Sequence, residues 1–207
     1  MASTWATVRP EREALAKDLE AIDKEAWSTP SLCQGWTVRD VVAHMTALAR
    51  MTPPRFFQKL LASGFNPGRV QARDITMEKG NSPEETLARF RSATDTEIRV
   101  RAVPSKTLLG ETVVHAEDIR RPLGLAHAYP FSALVMVANL YKGSNLVAGT
   151  KRRIEGLALH ATDTEWSTGS GPSVSGPLLS LLMAMAGRQA ALADLDGEGL
   201  EALRSRG

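Results

Sequence analysis

The sequence predicts a mainly α-helical protein that ends in a small α+β module, and three observations carry the prediction. Apolar residues recur at spacings of three, four and seven in successive segments up to about residue 148. Proline and capping residues punctuate those segments. After Lys151 the spacing changes to period two and is followed by a Gly- and Ser-rich run. The expected division is a helical bundle over residues 1–150 and a C-terminal module over 151–207.

The elements follow in order. Trp5, Val8, Leu15, Leu19, Ile22 and Ala26, with charged residues between them, predict an amphipathic helix over 4–26 that closes before Pro30. Thr37 with Asp40 three residues on resembles a capping box, and Val38, Val41, Val42, Met45 and Leu48 give the helix of 37–51 a buried stripe. Pro53 and Pro54 break it, Phe56, Phe57, Leu60 and Leu61 make a further turn or two, and 64–81 reads as a long loop. Ser82, Pro83 and Glu85 mark the start of a helix over 83–101. Leu108, Leu109, Thr112, Val113 and Ala116 mark the next, which stops before Pro122, and a largely apolar helix covers 131–148. Leu157, Leu159 and Ala161 predict a strand within 153–162. Trp166 and the run GSGPSVSGP suggest a second strand, a turn and a third. Pro177 opens an apolar helix to about Gly187, and a solvated helix closes the chain.

Composition narrows the function. Among 207 residues, Lys plus Arg number 25 and Asp plus Glu 23, so the net charge of +2 gives no reason to expect nucleic acid as a partner. Eighteen of the 25 cations are Arg, which suits planar recognition of carboxylates or phosphates. A single cysteine forms no internal disulfide, the N-terminal stretch has no apolar signal core, and the longest apolar run is too short to span a bilayer. A cytoplasmic protein without a membrane partner is the expectation.

Glu111 and His115, four residues apart on one helix, project from the same face. His44 falls on the inward stripe of the second helix, where an imidazole needs a partner. Two imidazoles and a carboxylate on facing helices can hold a divalent metal with an open position, zinc first, then iron or nickel. The plain alternative is a hydrogen-bonded core histidine and an exposed Glu111. Asp118 could orient a ligand, or could simply lie at a helix end stabilised by Arg120 and Arg121. Cys33 reads as a small buried turn residue and Trp36 as a packing residue where the second helix begins. His127 falls in a loop and His160 on the surface of a strand.

Three stretches, PSLCQGWTVRDVVAHM, GETVVHAEDIRRPLG and the tail with ATDTEW, SGP and LLMAMAGR, together resemble the mycothiol-dependent maleylpyruvate isomerase family. That family belongs to the DinB-like metal-binding bundles. The resemblance implies a DinB-like up-down four-helix bundle. It also implies a metal, usually zinc, on His44, Glu111 and His115, and a tail like a reduced form of the family's C-terminal domain. Arg188 in the GR dipeptide is matched to the family's functional C-terminal arginine.

The activity implied is that of an isomerase or thiol S-transferase, in which the metal activates mycothiol as cosubstrate for attack on a small electrophile. Arg188, or Arg69 or Arg73 from the 64–81 segment, would hold the substrate carboxylate. Two other readings stay open. One is a metal hydrolase, with Asp118 or Glu117 as nearest candidate base; the other is a non-catalytic metal-binding or stress protein. The apolar helices leave monomer and homodimer equally open.

Overall fold

In the computed structural model, the described residues are 4–94, 105–145 and 149–207. The chain forms two compact units, residues 1–127 and 128–207.

The first unit is built from helices α1 (Trp5–Ala21), α2 (Val38–Ala49), α3 (Pro53–Ala62), α4 (Pro67–Lys79), α5 (Pro83–Thr94) and α6 (Ser105–Arg120), with a 3₁₀ turn at Glu25–Ser28. Helices α1, α2, α5 and α6 surround one core, in which Leu15, Leu19, Trp27, Val41, Val42, Met45, Phe90, Ala116 and Ile119 are buried together. Their spacing in the sequence is the spacing of one helix face, so the stripes that water rejects are the surfaces that meet.

Helix α2 begins where the sequence predicts. Thr37 accepts a hydrogen bond from the Asp40 amide through its side chain, and Asp40 Oδ2 accepts from the Thr37 amide at 3.0 Å. Asp40 also meets Lys79 Nζ at 2.6 Å, and Arg39 donates to the carbonyls of Lys79 and Gly80, both at 3.0 Å. These bonds pin the start of α2 to the end of α4. The core also holds a charge: the Arg120 side chain is fully buried and meets Asp18 of α1 at 2.7 Å.

Two expectations for this unit are corrected. Residues 64–81 are not a loop, because Asn66 caps the Arg69 amide, Pro67 fills the first turn and α4 runs to Gly80 at φ 65°. Its buried face is Val70, Asp74 and Ile75, and Asp74 is neutralised by Lys59 of α3 at 2.5 Å. A face completed by a carboxylate shows no apolar stripe to a reader of the sequence. The first helix also ends at Ala21, with Trp27 buried instead through the 3₁₀ turn. The expected end of the 83–101 helix lies outside the described residues.

The second unit contains α7 (Phe131–Tyr141), α8 (Thr150–Arg153), α9 (Leu178–Met185), α10 (Leu200–Arg204) and a small sheet of β1 (Ala158–Ala161), β2 (Ser167–Gly169) and β3 (Ser173–Gly176). The sheet order is β2-β1-β3, with β1 antiparallel to β2 and parallel to β3. Gly169 has φ +79°, and a Cβ there would stand 2.1 Å from the Leu157 carbonyl oxygen, so only glycine lets β2 close on β1. Helix α9 is buried almost all round and packs on α7 and on β1. That packing moves the boundary between units from the expected 150 to 127/128. Helix α7 buries its apolar residues Leu134, Val137 and Tyr141 in the C-terminal unit. The expected strand of 153–162 is shorter at its start, because Arg153 closes α8.

Removing the cap on α2 is expected to cost about 1 kcal/mol. Urea unfolding of Thr37→Ala should show that loss with an unchanged denaturant slope; an unaltered midpoint would mean that the cap does not anchor the helix.

Candidate metal centre

His44 comes from α2, and Glu111 and His115 from successive turns of α6, all within the first unit. Valine and methionine neighbours on α2 occupy the core, and they carry His44 inward to 8% exposure. Its ring centroid lies 5.0 Å from that of His115, at 84°. Glu111 Oε2 stands 3.2 Å from His115 Nε2. One donor atom from each of the three residues lies within 4.8 Å of the others, close enough to share one cation.

The far edge of His115 is also held. Its Nδ1 meets Asp118 Oδ2 at 3.0 Å, and Asp118 has no exposed surface. A carboxylate only accepts, so Nδ1 carries the proton and Nε2 is the nitrogen turned to His44 and Glu111. The same Asp118 oxygen accepts from the Cys33 thiol at 3.0 Å, and Cys33 Sγ stands 3.8 Å from His115 Nδ1. On the other side, the Trp36 ring lies 5.0 Å from the His44 ring, tilted by 57°.

The two imidazoles differ in charge preference. Burial first, and then the neighbouring His115, lower the pKa of His44 to about 4 against the opposing pull of Glu111 and Asp118. Burial also opposes charge on His115, but Asp118, Cys33 and Glu111 outweigh it and hold the pKa well above the ordinary 6.5. His44 is thus neutral at pH 7. His115 is an imidazolium clamped between two carboxylates until something replaces its Nε2 proton.

The structure brings together His44, Glu111, His115 and Asp118. It does not bring Glu117 to them, since that carboxylate turns to Arg121 at 3.1 Å. Arg69 and Arg73 stand on α4 and line a cleft of about 320 Å³ with Lys59, Ala62 and Met77, none of them a member of the cluster. Arg188 lies in the second unit, where its Nη1 donates to the Ala186 carbonyl at 2.8 Å. His127 bonds Glu11 at 2.7 Å and His160 is exposed, so neither joins the site. Cys33 and Trp36 are the residues that the sequence reading left without a role. Their place in the turn before α2 puts both near the helix that carries His44, but the contacts they make lie in the tertiary structure.

Comparison with known proteins bears on this geometry. Residues 8–107 match the family described as the mycothiol maleylpyruvate isomerase N-terminal domain. Residues 8–107 are thus similar to that domain over just under half of the chain. The matched stretch includes Cys33, Trp36 and His44 and stops just short of Glu111 and His115. A crystal structure of the mycothiol-dependent maleylpyruvate isomerase is similar at 20% identity and TM-score 0.61. The alignment covers 94% of this chain and 91% of that one. A histidine-to-alanine variant of such an isomerase gives 19% identity and TM-score 0.59 over the same shares. These likenesses establish the mainly helical fold with its small sheet. No curated protein matches the chain significantly.

The pKa of His44 gives a testable sign. A folded value near 4 against an ordinary 6.5 favours the neutral form. The contribution is therefore complete above pH 6.5 and lost as pH falls toward 4, about 3 kcal/mol in all. His115 has the opposite sign: its contribution is present below 6.5 and is lost as pH rises through its raised pKa. In metal-free protein, urea unfolding between pH 7 and pH 4 should cost wild type about 2 to 3 kcal/mol more than His44→Gln. Parallel losses would contradict a buried neutral His44.

Proposed function

We propose that this protein is a metal-dependent enzyme that uses mycothiol as cosubstrate, an isomerase or thiol S-transferase acting on a small electrophilic acid. The observation that carries the reading is the convergence of His44, Glu111 and His115 donor atoms within 4.8 Å at a largely buried place. The family match over residues 8–107 supports the choice of thiol.

The residues fit a divalent cation. Two imidazoles and one carboxylate would leave a coordination position free for a thiol, and such a set suits zinc first, then iron or nickel. A cation held there would supply Lewis acidity that favours the thiolate form of a thiol at neutral pH.

The chain's own side chains do the rest. His44, kept neutral by burial, offers a lone pair without first losing a proton. Asp118 keeps the proton of His115 on Nδ1, so that Nε2 faces the site. Glu111, one turn before His115, supplies the negative charge that offsets part of the cation's charge. The Trp36 ring packs beside His44, with ring centroids 5.0 Å apart. An arginine suits a carboxylate as a bidentate partner, and Arg188 and Arg73 are the candidates that the sequence offers. With the acid held, sulfur addition to the double bond, rotation and elimination of the same thiol isomerise an unsaturated acid; where the carbon carries a leaving group, the C–S bond forms as the bond to that group breaks, and the group departs with the thiol's proton.

The test is an optical titration of cobalt-substituted protein with mycothiol. A saturable sulfur-to-cobalt charge-transfer band, absent in His44→Ala, is expected. Cobalt binding with a spectrum that mycothiol leaves unchanged would overturn the thiol reading and favour hydrolysis or binding without turnover. In steady-state assays Arg188→Ala should raise KM for the acid about tenfold, a loss of roughly 1.4 kcal/mol. An unchanged KM would remove Arg188 from substrate binding.

A further inference from the structure

The turn before α2 is docked onto the far side of His115. Leu32 donates its amide to the Asp118 carbonyl at 3.1 Å, and the next residue, Cys33, donates its thiol to the Asp118 carboxylate at 3.0 Å. The turn itself is stiff. Ser31 Oγ accepts the Cys33 amide at 3.1 Å and donates to the Trp36 carbonyl at 2.8 Å, while the Trp36 amide donates to the Cys33 carbonyl at 3.0 Å.

Asp118 Oδ2 is therefore shared by two donors, Cys33 Sγ and His115 Nδ1. A carboxylate with no exposed surface has no water to replace a lost donor. Its rotation sets the plane of the His115 ring, because the Nδ1 bond is directional. We propose that Cys33 is a positioning residue for the metal centre: its thiol fixes the Asp118 carboxylate, and Asp118 fixes the direction of His115 Nε2. The inference rests on the metal reading above. It gives the single cysteine a role as hydrogen-bond donor, distinct from nucleophile or ligand.

The test is cobalt affinity, measured by chelator competition, together with the ligand-field spectrum. The proteins compared are wild type, Cys33→Ala and Cys33→Ser. Cys33→Ala should bind cobalt about tenfold or more weakly with an altered spectrum, the range typical of partners behind a metal-bound histidine. Cys33→Ser, which keeps a donor, should recover most of the affinity. A loss that came only from poorer packing would not be recovered by the more polar serine.

Because the chain has one cysteine, S-methylthiolation of folded wild type removes the same donor without a substitution, and it should reproduce the weakening if Cys33→Ala does not fold. Equal affinity in wild type and Cys33→Ala would overturn the inference while leaving the metal centre intact. A sulfur-to-cobalt band in wild type without added thiol, lost in Cys33→Ser, would overturn it by making Cys33 a ligand. Failure of wild type to bind cobalt would overturn the metal reading itself, and the inference with it.

Discussion

Everything at this site depends on Asp118, a carboxylate with no exposed surface that meets His115 Nδ1 at 3.0 Å. Burying a charge is costly unless hydrogen-bond donors surround it, and here the donors come from two parts of the chain distant in sequence. Cys33 reaches it from the turn before α2, and His115 from the same helix one turn back. The constraint that satisfies the charge therefore also aligns α6 with the beginning of α2, the helix that brings His44 to within 5.0 Å of His115. Stability and site geometry are one problem in this unit. The capping box at Thr37 and Asp40, the Lys79 contact and the buried Arg120–Asp18 pair hold the same helices in register from other sides.

The two imidazoles are held in opposite protonation preferences for a physical reason. His44 has an aromatic ring on one side and His115 on the other, so burial dominates. His115 has carboxylates at both nitrogens, so charge dominates. A cation that replaced the Nε2 proton of His115 would find positive charge already accommodated there. Glu111 and Asp118 thus accommodate positive charge on the His115 ring.

Much of this was legible in sequence. Glu111 and His115 share a face because a helix turns every 3.6 residues, and His44 points inward because its neighbours at three and four positions are apolar. What escaped depended on tertiary contact. Helix α4 buries Asp74 with an ion pair from α3 in place of an apolar residue, so its periodicity was hidden although Asn66, Pro67 and Gly80 marked its ends. Cys33 looked like a turn residue, which it is, but its thiol meets a carboxylate 85 positions away, and no local pattern encodes that. The unit boundary at 127/128 rests on a similar contact: α7 reads in sequence as one more bundle helix, and its packing on α9 assigns it to the C-terminal unit.

On the proposed reading, His44, Glu111 and His115 together hold a metal through nitrogen and oxygen, with Cys33 behind them. X-ray absorption fine structure of zinc-loaded wild type, without added thiol, tests this directly. The expected first shell is nitrogen and oxygen at about 2.0 to 2.1 Å, with the multiple-scattering signature of two imidazoles. A sulfur scatterer at about 2.3 Å, or a shell with one imidazole or none, would contradict it.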